Sequence, residues 1–388
     1  MKLLECRLIP TVDLAWGLEF TFPVECKYTK QCICAREIEL VQLSTGKPAL
    51  EKRLNIAIDD RFKLKIPVTD QFMTWEVLLN CSLPNCPPDF DLNDIDFYYS
   101  LTLDSMEDLL PSLNEWDHRK DKALINVISE LRSAYLKYQV ERLDTIDNRC
   151  AYDYTSLINE SRIPADQVEV FIDNNTVHFL IKPDMNLPLI LPTEGIVLLS
   201  EEYIILLAVR YGAHGSVRTT SLLTAPSVNQ LIGTNLELPR TIKTDESLSE
   251  YADFVARSAE NQVVTIFLNR QKKRKDFIFE MLKWLGHSVL SYDAQEYQSA
   301  SFFVMKDEFV CILEVRIPSL FPQRAPQYRL MSVHSSGEDG KPLMQFLHMP
   351  YSETWDVPTM VDQALNVITT KHIPEFRDYC MSVFQIPN

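Results

Sequence analysis

Glycine is scarce in this 388-residue chain, with nine residues against 22 prolines. Loops that close around phosphate consume glycine, because the approaching backbone leaves no room for a Cβ. The scarcity argues against a doubly wound nucleotide-binding fold, and no Gly-x-Gly-x-x-Gly, Walker loop, His-Glu-x-x-His or Gly-x-Ser-x-Gly is present. Basic charge is short as well: 38 Lys and Arg stand against 54 Asp and Glu, a net charge of −16. A nucleic-acid protein that tracks phosphates needs the opposite balance or a concentrated basic stripe, so DNA or RNA is not expected as the main ligand.

Long hydrophobic runs are missing too. The best candidate, residues 195–209, is broken by Ser200, Glu201 and Glu202 and reads as two buried strands. Glu5 interrupts what a secretory signal would need as a continuous apolar segment, and the last four residues form no prenylation box. Nine scattered cysteines, an odd number, fit reduced thiols better than a disulfide framework. The expectation is a soluble intracellular chain. Metal ligation is poorly served. Cys26, Cys32 and Cys34 lie far from Cys81 and Cys86, Cys32 and Cys34 share one face of a strand-like run, and the seven histidines include no His-x-His pair. No cofactor or metal is expected. His178, inside a strand-like run, reads as a packed or edge residue.

What is present is an ordinary core composition, 46% hydrophobic and 24% charged, enough for two to four units at roughly 100–200 residues each. It also contains a weak internal duplication. Trp75-Glu-Val-Leu-Leu-Asn-Cys-Ser-Leu-Pro-Asn-Cys-Pro-Pro88 aligns without a gap on Leu313-Glu-Val-Arg-Ile-Pro-Ser-Leu-Phe-Pro-Gln-Arg-Ala-Pro326. Glu76 matches Glu314, Val77 matches Val315, Pro84 matches Pro322 and Pro88 matches Pro326. Each segment reads as a strand that ends in a proline turn, where fixed φ and missing donors stop further pairing. Further on, Glu115-Trp116-Asp117 precedes Ala123 to Ile128, and Thr354-Trp355-Asp356 precedes Ala364 to Ile368. Both predict a polar cap followed by an amphipathic helix, with Leu124, Val127, Ile128 and Leu131 on one face of the first. Trp116 and Trp355 are expected to plug the cores of their modules.

Strand, proline turn, connection and tryptophan-led helix, twice in that order, resemble the ubiquitin-conjugating-enzyme fold. The carrying residues are Pro84, Pro87 and Pro88 in one turn; Phe321, Pro322 and Pro326 in the other; and Trp116, Tyr351 and Trp355 around the helix entries. A conjugating enzyme needs a nucleophilic cysteine after the turn and an asparagine for the oxyanion. Neither copy has them. No cysteine lies between Cys86 and Cys150, and the stretch from Asp89 to Asp117 holds nine acids and no Lys or Arg, a field that disfavours a thiolate. In the second copy His348-Met349-Pro350 is a scrambled echo, and no cysteine follows until Cys380. Both copies look like variants that keep the fold without its chemistry, and no catalytic residue is expected.

Between them, residues 168–172, 177–181, 196–199, 203–209 and 217–223 read as strands, flanked by helices over 152–160 and 247–268. Helix, meander, helix is the RWD arrangement, a relative of the conjugating fold. The fold class is therefore α+β: tandem ubiquitin-conjugating-enzyme-variant (UEV/RWD-like) modules, antiparallel meanders with flanking helices, in an elongated chain. The domains are 1–148, 149–270 and 271–388. Arg270-Gln-Lys-Lys-Arg-Lys275, five bases in six residues, reads as a solvated face of the last module's first helix; a contact for an acidic partner or a nuclear-import signal is the functional alternative.

The order and total length of these features resemble the brain-and-reproductive-organ-expressed (BRE) family. The segments that carry it are residues 60–67, 75–90, 292–294, 321–333 and 350–356. The resemblance implies a non-catalytic scaffold subunit of the BRISC deubiquitinase complex and of its nuclear DNA-damage counterpart. Implied partners are a zinc metalloprotease that cuts lysine-63-linked ubiquitin chains with its pseudo-protease scaffold, a von Willebrand A-like adaptor, and ubiquitin chains. It implies residence in cytoplasm and nucleus. Two other readings stay open: a stand-alone ubiquitin- or peptide-binding adaptor, and an active conjugating enzyme that uses Cys86.

Overall fold

The computed structural model describes residues 36, 38–46, 52, 60–80, 83–101, 103–161, 163–185, 205–212, 216–243, 245–337 and 340–384. They fall into two compact units. One comprises 1–185, 201–225 and 237–258; the other comprises 186–200, 226–236 and 259–388.

The first unit holds two antiparallel meanders. Strands β1 (Glu39–Ser44), β2 (Arg61–Val68), β3 (Gln71–Leu78) and β4 (Asp89–Asp91) pair in sequence order. Alternation decides the faces: Phe62, Leu64 and Ile66 of β2 point to the core, while Lys63 and Lys65 face outward and pair with Glu76 and Glu39. The β2–β3 turn places Thr69 at φ 49°, which lets a two-residue connection follow the twist of its strands. Short helices α1 (Ile95–Ser100), α2 (Leu103–Leu109) and α3 (Pro111–Asn114) lead to α4 (Ala123–Glu141). Ile128, Leu131, Ala134 and Tyr135 of α4 close over Trp75 and Phe97, with Leu124 at the margin, and Val127 is buried as well.

The second meander follows α5 (Leu143–Ile146) and α6 (Asn148–Glu160), whose N-terminus is capped by the Asp147 carboxylate on Arg149 and Cys150 N–H. Strands β5 (Val168–Asp173), β6 (Thr176–Ile181), β7 (Ile205–Tyr211) and β8 (Val217–Thr224) pair in order. β6 and β7 are buried on both faces almost throughout, which explains why they read as continuous apolar runs rather than alternating ones.

Helices α7 (Pro226–Ile232) and α8 (Leu248–Leu285) come next. α8 is one unbroken helix of 38 residues. The sequence suggested one helix over 247–268 and a separate one, carrying the basic run on a solvated face, that opens the last module. The stretch is instead mid-helix, because it contains no Gly or Pro and every residue in it is a fair helix former.

The second unit carries β9 (Val289–Tyr292), β10 (Ser299–Lys306), β11 (Phe309–Arg316), β12 (Gln327–Ser336) and β13 (Pro342–Leu347), again paired in order. α9 (Val357–Val367), a π turn at Ile368–His372 and α10 (Ile373–Phe384) follow. Lys306 Nζ donates to the Thr369 carbonyl within that turn. Phe277, Phe302, Phe321, Phe376, Leu313 and Val361 centre the core. The gapless repeat is longer in space than in sequence. One constant shift in numbering carries β2 onto β10, β3 onto β11 and the start of β4 onto the start of β12.

The helix caps divide. Asp356 accepts from Thr359 N at 3.0 Å and starts α9 as predicted. α4 begins behind Lys122 with no side-chain cap, since Asp117 is spent on the Arg119 N–H of the preceding turn. The strand reading at 196–199 and the cysteines at 26, 32, 34 and 81 lie outside the described residues.

Candidate partner-binding surface

Each proline turn is closed by one aromatic donor. In the first, Leu83 N–H donates to Asn80 O and Cys86 N–H to Leu83 O, both at 2.9 Å, so the chain reverses tightly. Pro84 is half-buried, Pro87 exposed and Pro88 buried. The indole Nε1–H of Trp116 donates to the Pro84 carbonyl at 3.0 Å. In the second, Pro322 follows a cis bond to Phe321, and Pro326 is buried. The Tyr351 hydroxyl donates to the Pro322 carbonyl. Pro84 and Pro322 are the matched residues of the repeat, so two unrelated donors satisfy the same carbonyl. Proline carries no N–H, and its neighbours leave the sheet; a side chain from the following connection supplies the missing bond.

The other singled-out residues divide between packing and surface. Phe321 is fully buried, edge-on to Phe277 at 5.4 Å, and holds the turn to the core. Trp355 is half-buried against the same core, ahead of the Asp356 cap. Trp116 departs from expectation: it is half-buried and serves as a turn clasp, while Trp75, 1% exposed, is the tryptophan that fills its core. The tip of the first turn presents Leu83, Cys86 and Pro87 to solvent. The structure thus joins Pro84 to Trp116 and Pro322 to Tyr351, while Pro87 stands free at the surface.

Three of the described thiols, Cys150, Cys311 and Cys380, are buried. Burial pushes the Cys150 and Cys311 thiols up to about 12, and burial also raises Cys380. Among the described residues no group of three or more His, Cys, Asp and Glu side chains is placed to hold a metal ion. Also among them, no helix is long and apolar enough to cross a membrane.

Sequence reasoning missed a polar latch within the first unit. Arg132 of α4 donates to Pro67 O at 3.0 Å and to Glu169 Oε1 at 2.7 Å, and Glu169 Oε2 accepts from Thr69 N at 3.0 Å. The next turn residue, Asp70, accepts from Arg210 Nε at 2.9 Å and contacts His178 Nδ1 at 3.1 Å. Burial would raise the Asp70 carboxyl, but the bonds from His178 and Arg210 prevail and hold it well below the usual range. Gln71, Asp173, Asn174, His178 and Arg210 line a polar cavity of about 340 Å³ beside it. The latch ties the β2–β3 turn to β5, β6 and β7, so His178 is a packed residue with an assigned partner. No local signal marks it, because its members are up to 140 residues apart.

The basic run separates by residue type. Arg270 is buried and donates to the carbonyls of Leu231 and Ile232 at the end of α7; Arg274 is buried and donates to Glu296 O at 2.8 Å. Lys272, Lys273 and Lys275 face solvent. Guanidinium forks suit carbonyl pairs, and ammonium heads prefer water.

Comparison with known proteins gives a consistent answer. The family model described as "Brain and reproductive organ-expressed protein (BRE)" matches residues 25–335. A protein of Branchiostoma floridae named "BRISC and BRCA1-A complex member 2" is 27% identical over 366 residues, covering 90% of this chain and 91% of its own. A protein of Danio rerio with the same name is 26% identical over 339 residues, covering 82% and 83%.

Proposed function

Because the chain belongs to the BRE family, we propose that it is a non-catalytic scaffold subunit of a deubiquitinase assembly of the BRISC and BRCA1-A kind. Both relatives are named as members of those complexes, and the match runs nearly end to end. In this reading the chain bridges a zinc metalloprotease specific for lysine-63-linked ubiquitin, with its pseudo-protease scaffold, to a von Willebrand A-like adaptor. It works in ubiquitin signalling and the DNA-damage response, in cytoplasm and nucleus. Its three meanders with flanking helices are variant conjugating-enzyme modules over 1–148, 149–270 and 271–388.

The observation that carries the reading is the pair of closed proline turns. Each copy has a proline turn clasped by an aromatic side chain, and the connection that follows it, where a conjugating enzyme would keep its nucleophile, holds no cysteine. The thiols Cys150, Cys311 and Cys380 are buried and raised, hence poor nucleophiles. What remains is shaped surface, which suits binding. Affinity purification of the endogenous chain with mass spectrometry tests it: a zinc isopeptidase and an adaptor should co-purify in fixed ratio, and recovery of the chain alone would refute it.

A further inference from the structure

Two of the three solvent-facing lysines left by the split of the basic run, Lys272 and Lys275, belong to a longer pattern on α8. Leu268, Lys272, Lys275, Phe279 and Lys283 stand at spacings of four, three, four and four residues, which places them on one face. All five are exposed, with Leu268 58% and Phe279 41% accessible. The stripe runs about 22 Å along the helix at 1.5 Å per residue. Lys273 and Trp284, the latter 57% exposed, flank it. The opposite side of the helix is spent: Arg270, Arg274, Phe277, Ile278 and Met281 are buried.

Lys272 and Lys273 have no ion-pair partner among the described residues, Lys275 lies over the rings of Phe279 and Tyr297 at 5.4 and 5.9 Å, and Lys283 at the end of the stripe pairs with Glu280 at 2.5 Å. A chain of net charge −16 that keeps uncompensated lysines beside large exposed apolar side chains is holding a surface that solvation alone does not require. We infer that this face of α8 docks an acidic segment of another protein, one whose carboxylates alternate with large apolar side chains. Charge complementarity names the occupant: Lys272 and Lys275 sit between Leu268 and Phe279 and Lys283 lies beyond Phe279, so a ligand must offer both anions and apolar groups in turn. A nucleic acid fits less well, because three in-line lysines neutralise little of a dense polyanion that the rest of the chain repels. An anionic bilayer fits less well, because the stripe holds only two apolar side chains to insert.

The inference rests on the chain being an assembly subunit, and the experiment separates the two. Lysine acylation is measured by mass spectrometry on the full chain alone and in the purified assembly, followed by zero-length carbodiimide cross-linking. The expected result is that Lys272, Lys275 and Lys283 react about tenfold more slowly in the assembly, as a site occupied with roughly 1.4 kcal/mol of preference requires. They should also cross-link to Asp or Glu of one partner segment. The triple variant K272E/K275E/K283E loses that cross-linked protein and K272R/K275R/K283R keeps it. An assembly that forms with these lysines fully reactive overturns this inference and leaves the subunit reading standing. Protection only by phosphatidylserine vesicles or by duplex DNA overturns it in favour of those ligands, and a chain recovered with no partner overturns both readings.

Discussion

Arg132 and Glu169 form an ion pair at 2.7 Å with side chains only 6% and 3% exposed, and each also binds backbone of the β2–β3 hairpin, at Pro67 and Thr69. Two charges taken from water are tolerable only when mutual attraction and further hydrogen bonds replace hydration, and both conditions hold here. Removing one partner leaves the other buried and unmatched. Glu169→Leu should therefore lower stability by about 3–5 kcal/mol, whereas the apolar double variant Arg132→Met/Glu169→Leu should recover much of it. Urea unfolding of the four corners of the cycle measures the coupling, and additive single effects would show that the pair is not a unit.

Trp116 and Trp75 offer a contrast within one sheet system. Trp75 is buried in the core with Tyr135 edge-on at 6.2 Å, while Trp116 is half-buried and bonded to Pro84 O. Trp75→Ala should cost about 3–5 kcal/mol through the cavity it leaves. Trp116→Phe should cost about 0.5–1.5 kcal/mol, one net hydrogen bond, and Tyr351→Phe should cost the same in the second copy. Thermal unfolding ranks the three. Equal losses at Trp75 and Trp116 would return Trp116 to the role of core plug.

The pH dependence follows from Asp70. Despite burial, the bonds from His178 and Arg210 hold its folded value below the unfolded one of about 3.9. Its contribution is therefore complete above the unfolded value and disappears as pH falls below about 4 toward the folded value. Urea midpoints of the native chain should drop steeply between about pH 5 and pH 2, and those of Asp70→Asn should start lower and fall less. Parallel slopes would show that another carboxylate governs acid unfolding.

The difference between what could be read in advance and what could not has a physical basis. Strands β3 and β11 were legible as the runs that lead into the proline turns, and β5 to β8 as apolar and β-branched runs, whereas β2 and β10 were not read as strands although their burial alternates. The repeat was legible because prolines at matched positions punctuate it. The α9 cap was legible in Asp356, which Pro358 follows in the first helical turn, whereas Asp117 also stands after a tryptophan but has no such proline and caps no helix. Continuity of α8 was hidden, since a basic run looks alike in a linker and on a helix. Of the surface, Pro84, Pro322, Trp116 and Tyr351 were found as residues but not as bonded pairs. The latch through Asp70, Glu169 and Arg210 could not be found at all, because tertiary pairing leaves no periodic trace.

The remaining prediction concerns chemistry. Cys86 is the one cysteine exposed among the described residues, at the tip of the first turn, and the other three described thiols are raised by burial. Thioester formation needs a thiolate held beside oxyanion donors, whereas the residues that follow Cys86 bring acids, Asp89, Asp91, Asp94 and Asp96, with no Lys or Arg before Arg119. Incubation with activating enzyme, ATP and ubiquitin should give no adduct that a reducing agent releases. Iodoacetamide should label Cys86 readily and Cys150, Cys311 and Cys380 only on unfolding. A reducible ubiquitin adduct abolished by Cys86→Ala would make the chain a conjugating enzyme after all, since a clasped turn and an acidic approach would then have failed to suppress the reaction they oppose.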